Sequence, residues 1–405
     1  MATEFDFYSD EFQLDPSHKF QEMQEQCPFH HSEKFDWYSV FRHKDITSIV
    51  RDNETYSARF GPGPDRATAE SAPVLVSADP PLHSKQKKAI TAAFNPQTIA
   101  AMEPGIRAFV SQRMDAMAEM PECDLMVEIA DQLPMWVICK MLDIPFDQDY
   151  EKLLMWVDAI AGGVFSDHDE EMHQQRLDMM TNVYNYFGPH IQAKIDLDKA
   201  GKDPGDDLLS LIVKARIDGE PVPFNHILSF ALFLLVAGSG TTTTLIGSFF
   251  NRMMAHPDQW EKLLADPALL DNAIEEVLRI DSPVHGLFRT NNVPVKLGDL
   301  DVPVDSKICL MWGSANLDPE VFENPLEFDI TRDAKVLRKH LSFGTGIHAC
   351  IGGPLARLEC KVVVEEFLKR FDGMERMEPM VPYPYPTLHG PYKLPVRLTA
   401  KKHAA

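Results

Sequence analysis

From Pro104 to Asp218 apolar residues recur at three- and four-residue spacing, segment after segment. That period predicts helices over Gly105–Glu119, Glu128–Asp143, Tyr150–Ile160 and Glu170–Lys199, with breaks at Pro145, Gly162-Gly163 and Pro204-Gly205. From Asn225 to His256 the chain is apolar nearly all round, which predicts one long buried helix. Its middle reads Ala237-Gly-Ser-Gly-Thr-Thr-Thr-Thr244. Each interior glycine costs about 1 kcal/mol relative to alanine, and hydroxyls bonding back to the preceding turn bend helices. Two shorter helices joined at Gly238-Ser-Gly240 are the alternative. Asp271–Ile280 and Pro354–Arg370 are further helices, and Asp79-Pro-Pro-Leu-His83 reads as a helix start with Asp79 as the cap.

Strand signals are fewer: Trp37–Phe41, ahead of a helical Lys44–Arg51, and an alternating stretch from Val293 to Ile308. Residues 1–20 look irregular, and Gly61–Ala72 is a loop of glycine, proline and charge. The pattern predicts mostly helix with a minor β region, and 405 residues could hold two or three average domains or one large one.

The totals narrow the function classes. A net charge of −22 argues against nucleic-acid binding, which needs a basic field. The acidic N-terminus has no apolar run, and the longest greasy stretch, Ile227–Gly238, is too short to cross a bilayer. No membrane anchor and a cytoplasmic location are expected. The six cysteines show no Cys-x-x-Cys spacing, so neither a zinc ribbon nor a disulfide framework explains them.

One cysteine has special surroundings. Leu341-Ser-Phe-Gly-Thr-Gly-Ile-His-Ala-Cys-Ile-Gly-Gly353 places Cys350 in a glycine-rich loop at the entrance to a helix. Gly344, Gly346 and Gly352 let the backbone turn sharply against a bulky partner. Free backbone N–H groups and the helix dipole favour thiolate over thiol there. Such a sulfur suits a soft or borderline metal, haem iron included. A lone Cys-Gly pair would read as a structural cysteine.

Phe343-Gly-x-Gly-x-His-x-Cys-x-Gly352 resembles the haem-binding signature of the cytochrome P450 family. The resemblance implies one mainly α P450-type domain over 1–405, many helices around a buried haem b, with a variable pocket-covering loop region at 50–78. It gives Cys350 as the axial thiolate, Phe343 beside the sulfur, Gly344 in the turn, and His348 donating to a propionate. Further motifs follow in the family's order. His83 and Lys87 stand where the family has His-x-x-x-Arg reaching the propionates; lysine keeps the charge and loses the planar fork. Arg289 stands where the family has a propionate-binding arginine. Ala237, Gly238, Thr241 and Thr242 match the oxygen-activation motif, with Thr241 holding dioxygen and the water that protonates it. Gly240 replaces that motif's acid, so proton delivery falls to Ser239, the threonines and water, or to another acid. Glu276 and Arg279 match a buried pair whose third partner would fall at Glu327.

The resemblance further implies a monooxygenase that inserts one atom of O2 into a small apolar organic substrate. Electrons would come from NAD(P)H through a ferredoxin reductase and a ferredoxin. A basic cluster, Arg338, Lys339, His340, Arg357 and Lys361 with Lys85 and Lys88, would steer the ferredoxin. Val284, Leu287 and Phe288 either face the substrate or pack the core. The rivals are a peroxide-driven peroxygenase and a non-catalytic haem-thiolate ligand-binding protein.

Overall fold

The computed structural model describes residues 5–64, 72–163, 170–386 and 388–401. The loop expected over Gly61–Ala72 and the joint at Gly162-Gly-Val-Phe-Ser lie partly outside them. Fifteen α-helices are present among the described residues. The longest runs unbroken from Phe224 to Ala255, so the two-helix alternative does not occur. Packing holds it together despite its glycines. Gln132–Leu142, Tyr150–Gly163, Glu170–Lys199, Leu270–Ile280 and Gly353–Arg370 all lean on this central helix. It is long and apolar enough to span a membrane, but two thirds of its most apolar stretch is buried inside the protein, the signature of a core helix.

Several boundaries move for physical reasons. Pro104 lies inside a helix, Pro96–Ala118, that starts earlier; the Asn95 side chain accepts from Thr98 N and Pro96 occupies the first turn. The segment expected as Glu128–Asp143 begins with a π-turn at Met126–Ala130 and then continues as Gln132–Leu142. Residues expected to form an irregular arm carry short helices at Asp10–Leu14 and Ser17–Gln26. Phe5, Phe7, Phe12 and Phe20 anchor them in an aromatic cluster with Trp37, Phe41 and Phe288.

A mixed five-stranded sheet runs Phe29–Ser32, Trp37–Val40, Lys307–Leu310, Leu287–Asn291, Tyr56–Ser57. Lys307–Leu310 pairs parallel with Trp37–Val40 and antiparallel with Leu287–Asn291, which sets Arg289 opposite Ile308. The Val293–Ile308 stretch contributes a hairpin, Val295–Leu297 with Leu300–Val302, and then the Lys307–Leu310 strand. A second sheet joins Phe371–Arg376, Pro395–Ala400 and Glu122–Asp124. The chain between its C-terminal strands folds back over the central helix, with consequences at Gly240.

Candidate active site

The cysteine loop is built as its glycines require. Gly344 and Gly346 have φ of +63° and +70°, a region costly for any side chain. Gly352 has an ordinary φ and instead precedes the first turn of Gly353–Arg370. Cys350 N donates to Phe343 O at 2.8 Å, closing the loop. All six cysteines are free, and Cys350 alone is exposed; Cys139, Cys309 and Cys360 are buried. Burial pushes the Cys350 thiol up, while the Gly352 and Gly353 N–H groups and the charges of Arg357 and Lys87 favour thiolate, the direction expected of this loop. A cation at the sulfur would complete the ionisation.

Phe343 packs beneath the Arg357 guanidinium, 4.3 Å from its ring centre. A Cβ at Gly353 would sit 3.2 Å from the Phe343 ring, so glycine is needed for this close approach. On the other side, the rings of His83 and His348 lie 4.3 Å apart. His83 sits on the helix Leu82–Ile90, which starts without a side-chain cap. Asp79 instead accepts from Ser57 Oγ and from Ala58 N, pinning the preceding turn to the strand Tyr56–Ser57.

Four basic groups converge here with no carboxylate ion-paired to any of them among the described residues. His348 is driven down to about 3 by burial and then by the charges of Arg289, His83 and Lys87. Burial, followed by Lys87, also lowers His83. Arg289 falls to about 10 through burial, with Asp79 opposing, and its one hydrogen bond is from Nη1 to Phe288 O at 3.1 Å. His83 Nδ1 and His348 Nε2 are buried without partners. Orphaned donors beside a buried guanidinium are costly unless an anion joins them. The propionates of haem would supply that anion, and the sulfur would supply the iron ligand. The residues present fit haem. The Lys87 ammonium donates to Ile347 O and Ala349 O at 2.7 and 3.3 Å, which leaves one donor for a propionate.

Along the central helix, Ala237 is exposed and Thr241 half-buried, while Ser239, Gly240, Thr242, Thr243 and Thr244 are buried. Thr241 Oγ1 donates to Ala237 O at 2.9 Å. Ser239 Oγ donates to Leu235 O, Thr243 Oγ1 to Ala130 O and Thr244 Oγ1 to Thr241 O. Ser239, Thr243 and Thr244 are thus spent on backbone carbonyls, Thr242 is buried, and Thr241 is the one half-buried member of the threonine run. At Gly240 a Cβ would lie 2.8 Å from Leu388 Cδ1. Leu388 fills the space that an acidic side chain would take. No sequence signal links two residues so far apart. Gly240→Asp is expected to cost about 1–3 kcal/mol by overpacking, and adding Leu388→Ala should recover most of it. Thermal unfolding of the single and double variants reads this out; a Gly240→Asp protein as stable as wild type would remove Leu388 from the account.

The hub near the loop is completed differently from expectation. Arg279 Nε and Nη2 donate to Glu276 at 2.7 and 2.8 Å, both side chains fully buried. The third charged member is Arg332, 3.4 Å from Glu276, while Glu327 offers its carbonyl to Arg279. The basic cluster also shrinks. His340 is buried against Glu275, which also binds Arg357; Lys361 pairs with Asp271 and Lys85 with Asp218. Arg338, Lys339 and Lys88 remain as exposed cations. Phe288 belongs to the core, whereas Val284 and Leu287 are half-buried.

A family model described as Cytochrome P450 matches residues 18–388. The cyclomarin C epoxidase CymV of Salinispora arenicola is 30% identical over 387 residues, covering 94% of this chain and 95% of its own. Cytochrome P450 CYP109Q5 from Chondromyces apiculatus has a closely similar structure, with TM-score 0.86, 31% identity and coverage of 99% and 100% of the two chains. CYP109E1 from Bacillus megaterium, in complex with testosterone, gives TM-score 0.87 at 28% identity, covering 96% and 99%. A match over this much of the chain, with His83, His348 and Arg289 gathered beside the cysteine loop, makes it a member of the cytochrome P450 family, a monooxygenase with haem b as cofactor.

Proposed function

We propose that this enzyme inserts one oxygen atom from O2 into a C–H or C=C bond of a bulky, largely apolar molecule. Electrons come from NAD(P)H through a ferredoxin reductase and a ferredoxin, in the cytoplasm, and residues 1–405 act as one domain. The observation that carries this is the crowding of His83, His348 and Arg289, with orphaned His83 and His348 nitrogens, beside the glycine-rich loop that carries a free Cys350. Bound haem supplies dioxygen activation, and its thiolate ligand favours O–O cleavage.

The chain's own residues do the rest. Cys350 holds the iron from a loop whose glycine turns set the sulfur's direction. Arg289 would hold a propionate by charge, and His83 and His348 by ring N–H groups whose Nδ1 and Nε2 atoms have no partner among the described residues. Thr241 Oγ1 is already a donor to Ala237 O, which leaves its lone pairs to accept from a water and orient that water's protons. Ala237, Val284 and Leu287 offer apolar surface that is not fully buried, and the cyclomarin C and testosterone named for two relatives are both bulky. Arg338, Lys339 and Lys88 form a reduced positive face on a chain of net charge −22, suited to an acidic ferredoxin.

Leu388 against Gly240 favours one rival, a peroxygenase, because peroxide already carries the protons that the missing acid would deliver. Isotope labelling separates the two. With a ferredoxin, its reductase, NADPH and labelled dioxygen, the product is expected to carry the label. Product formed from hydrogen peroxide alone, with none from dioxygen and electrons, would establish the peroxygenase instead.

A further inference from the structure

Lys87 stands where an arginine is expected, and its ammonium reaches the cysteine loop. Nζ donates to Ile347 O at 2.7 Å and to Ala349 O at 3.3 Å. These carbonyls flank His348, and the second belongs to the residue just before Cys350. The loop's own bonds there are few: Cys350 N to Phe343 O at 2.8 Å and Ala349 N to Gly346 O at 3.2 Å. Left-handed Gly344 and Gly346 leave the backbone between them and the sulfur with much freedom to lose. A charged donor gripping the Ile347 and Ala349 carbonyls from outside restrains what the loop alone holds weakly.

The donor is itself well placed. Lys87 is half-buried on the helix Leu82–Ile90, and Gln86 next to it ties that helix to Pro73 O at 2.8 Å. Chemistry also favours lysine here. An ammonium directs three donors from one nitrogen at wide angles, whereas a guanidinium offers a planar fork. Two of the three serve the loop and one remains for a carboxylate.

We infer that Lys87 is a positioning residue acting through the cysteine loop: by holding the Ile347–His348 and Ala349–Cys350 peptide planes it fixes the direction of the Cys350 sulfur. This rests on the haem-thiolate assignment of Cys350.

The test uses haem-loaded wild type, Lys87→Met, Lys87→Gln and Lys87→Arg. Two quantities are read: deuterium exchange of the amides of residues 346–353, and the lifetime of the red-shifted band of the reduced, carbon monoxide-bound protein. In Lys87→Met, exchange in the loop should quicken about tenfold while the strand Leu287–Asn291 stays as in wild type, and the band should decay several-fold faster (roughly in step with the loop opening). Lys87→Gln, with one neutral donor group, should fall between, and Lys87→Arg should restore most of both. Wild-type exchange and lifetime in Lys87→Met and Lys87→Gln would overturn the inference, even if haem dissociated more readily, since that pattern belongs to a residue serving a propionate alone. Failure of the underlying assignment looks different: wild type itself would then show no red-shifted band.

Discussion

Glu276→Leu is expected to lower the unfolding free energy by about 3–5 kcal/mol, because it strands a buried guanidinium. Arg279 and Glu276 are both inaccessible to solvent, and the pair is bidentate. Glu276 Oε1 also accepts from Asp329 N at 3.0 Å and faces Arg332 at 3.4 Å. Arg279 in turn donates to the carbonyls of Asn316, Pro325 and Glu327. Three separate chain segments therefore depend on one ion pair. Loss is expected to spread toward the sulfur, because Asn316 Oδ1 accepts from Leu341 N and Asn316 Nδ2 donates to Ser342 Oγ at the start of the cysteine loop. Denaturant titration followed by circular dichroism should show the fall, accompanied by weaker haem retention. Lys361→Ala, which breaks the exposed pair with Asp271, is the control and should lose a small fraction as much. Equal, small losses in both variants would mean that the buried hub does not hold this region together.

What the sequence disclosed depended on how local each signal is. The cysteine loop was legible because its turn residues, its sulfur and the following helix are consecutive, so the backbone dictates their relation. The central helix was legible for the same reason, since a nearly all-apolar run of that length has few other solutions. Partner choice was not. Asp79 has the composition of a cap, but two donors at Ser57 and Ala58 outbid the helix terminus. His340 reads as one member of a basic surface run, yet the turn after Leu337 directs it inward to Glu275. Arg332, rather than the position of Glu327, completes the Glu276 hub because the intervening chain turns back on itself through Asn324, whose φ is +45°. Leu388 and Gly240 lie far apart in sequence, and only the folded chain shows that one occupies the other's missing side chain. His83, Arg289 and Thr241 were individually ordinary residues that the resemblance singled out. The structure gives His83 and Arg289 physical content by crowding them with His348 in one buried place with orphaned donors, and leaves Thr241 half-buried where its neighbours are buried.

The second large effect concerns Cys350. It is the exposed residue among six free cysteines, and it lies just ahead of the helix Gly353–Arg370. Burial holds the free thiol protonated, so iron is needed to complete the charge separation that the Gly352 and Gly353 N–H groups favour. Cys309 and Cys360 cannot take over, because both are sealed in the core and burial raises both thiols strongly. Cys350→Ala should therefore abolish activity outright and lose most of the haem, while Cys350→His should keep haem through a nitrogen ligand.

The most direct measurement is the absorption of the reduced protein under carbon monoxide, compared between wild type, Cys350→Ala and Cys350→His. Wild type should show its main band moved far to the red by an anionic sulfur opposite the carbon monoxide, and both variants should lack that band. A red-shifted band that survives in Cys350→Ala would contradict the account.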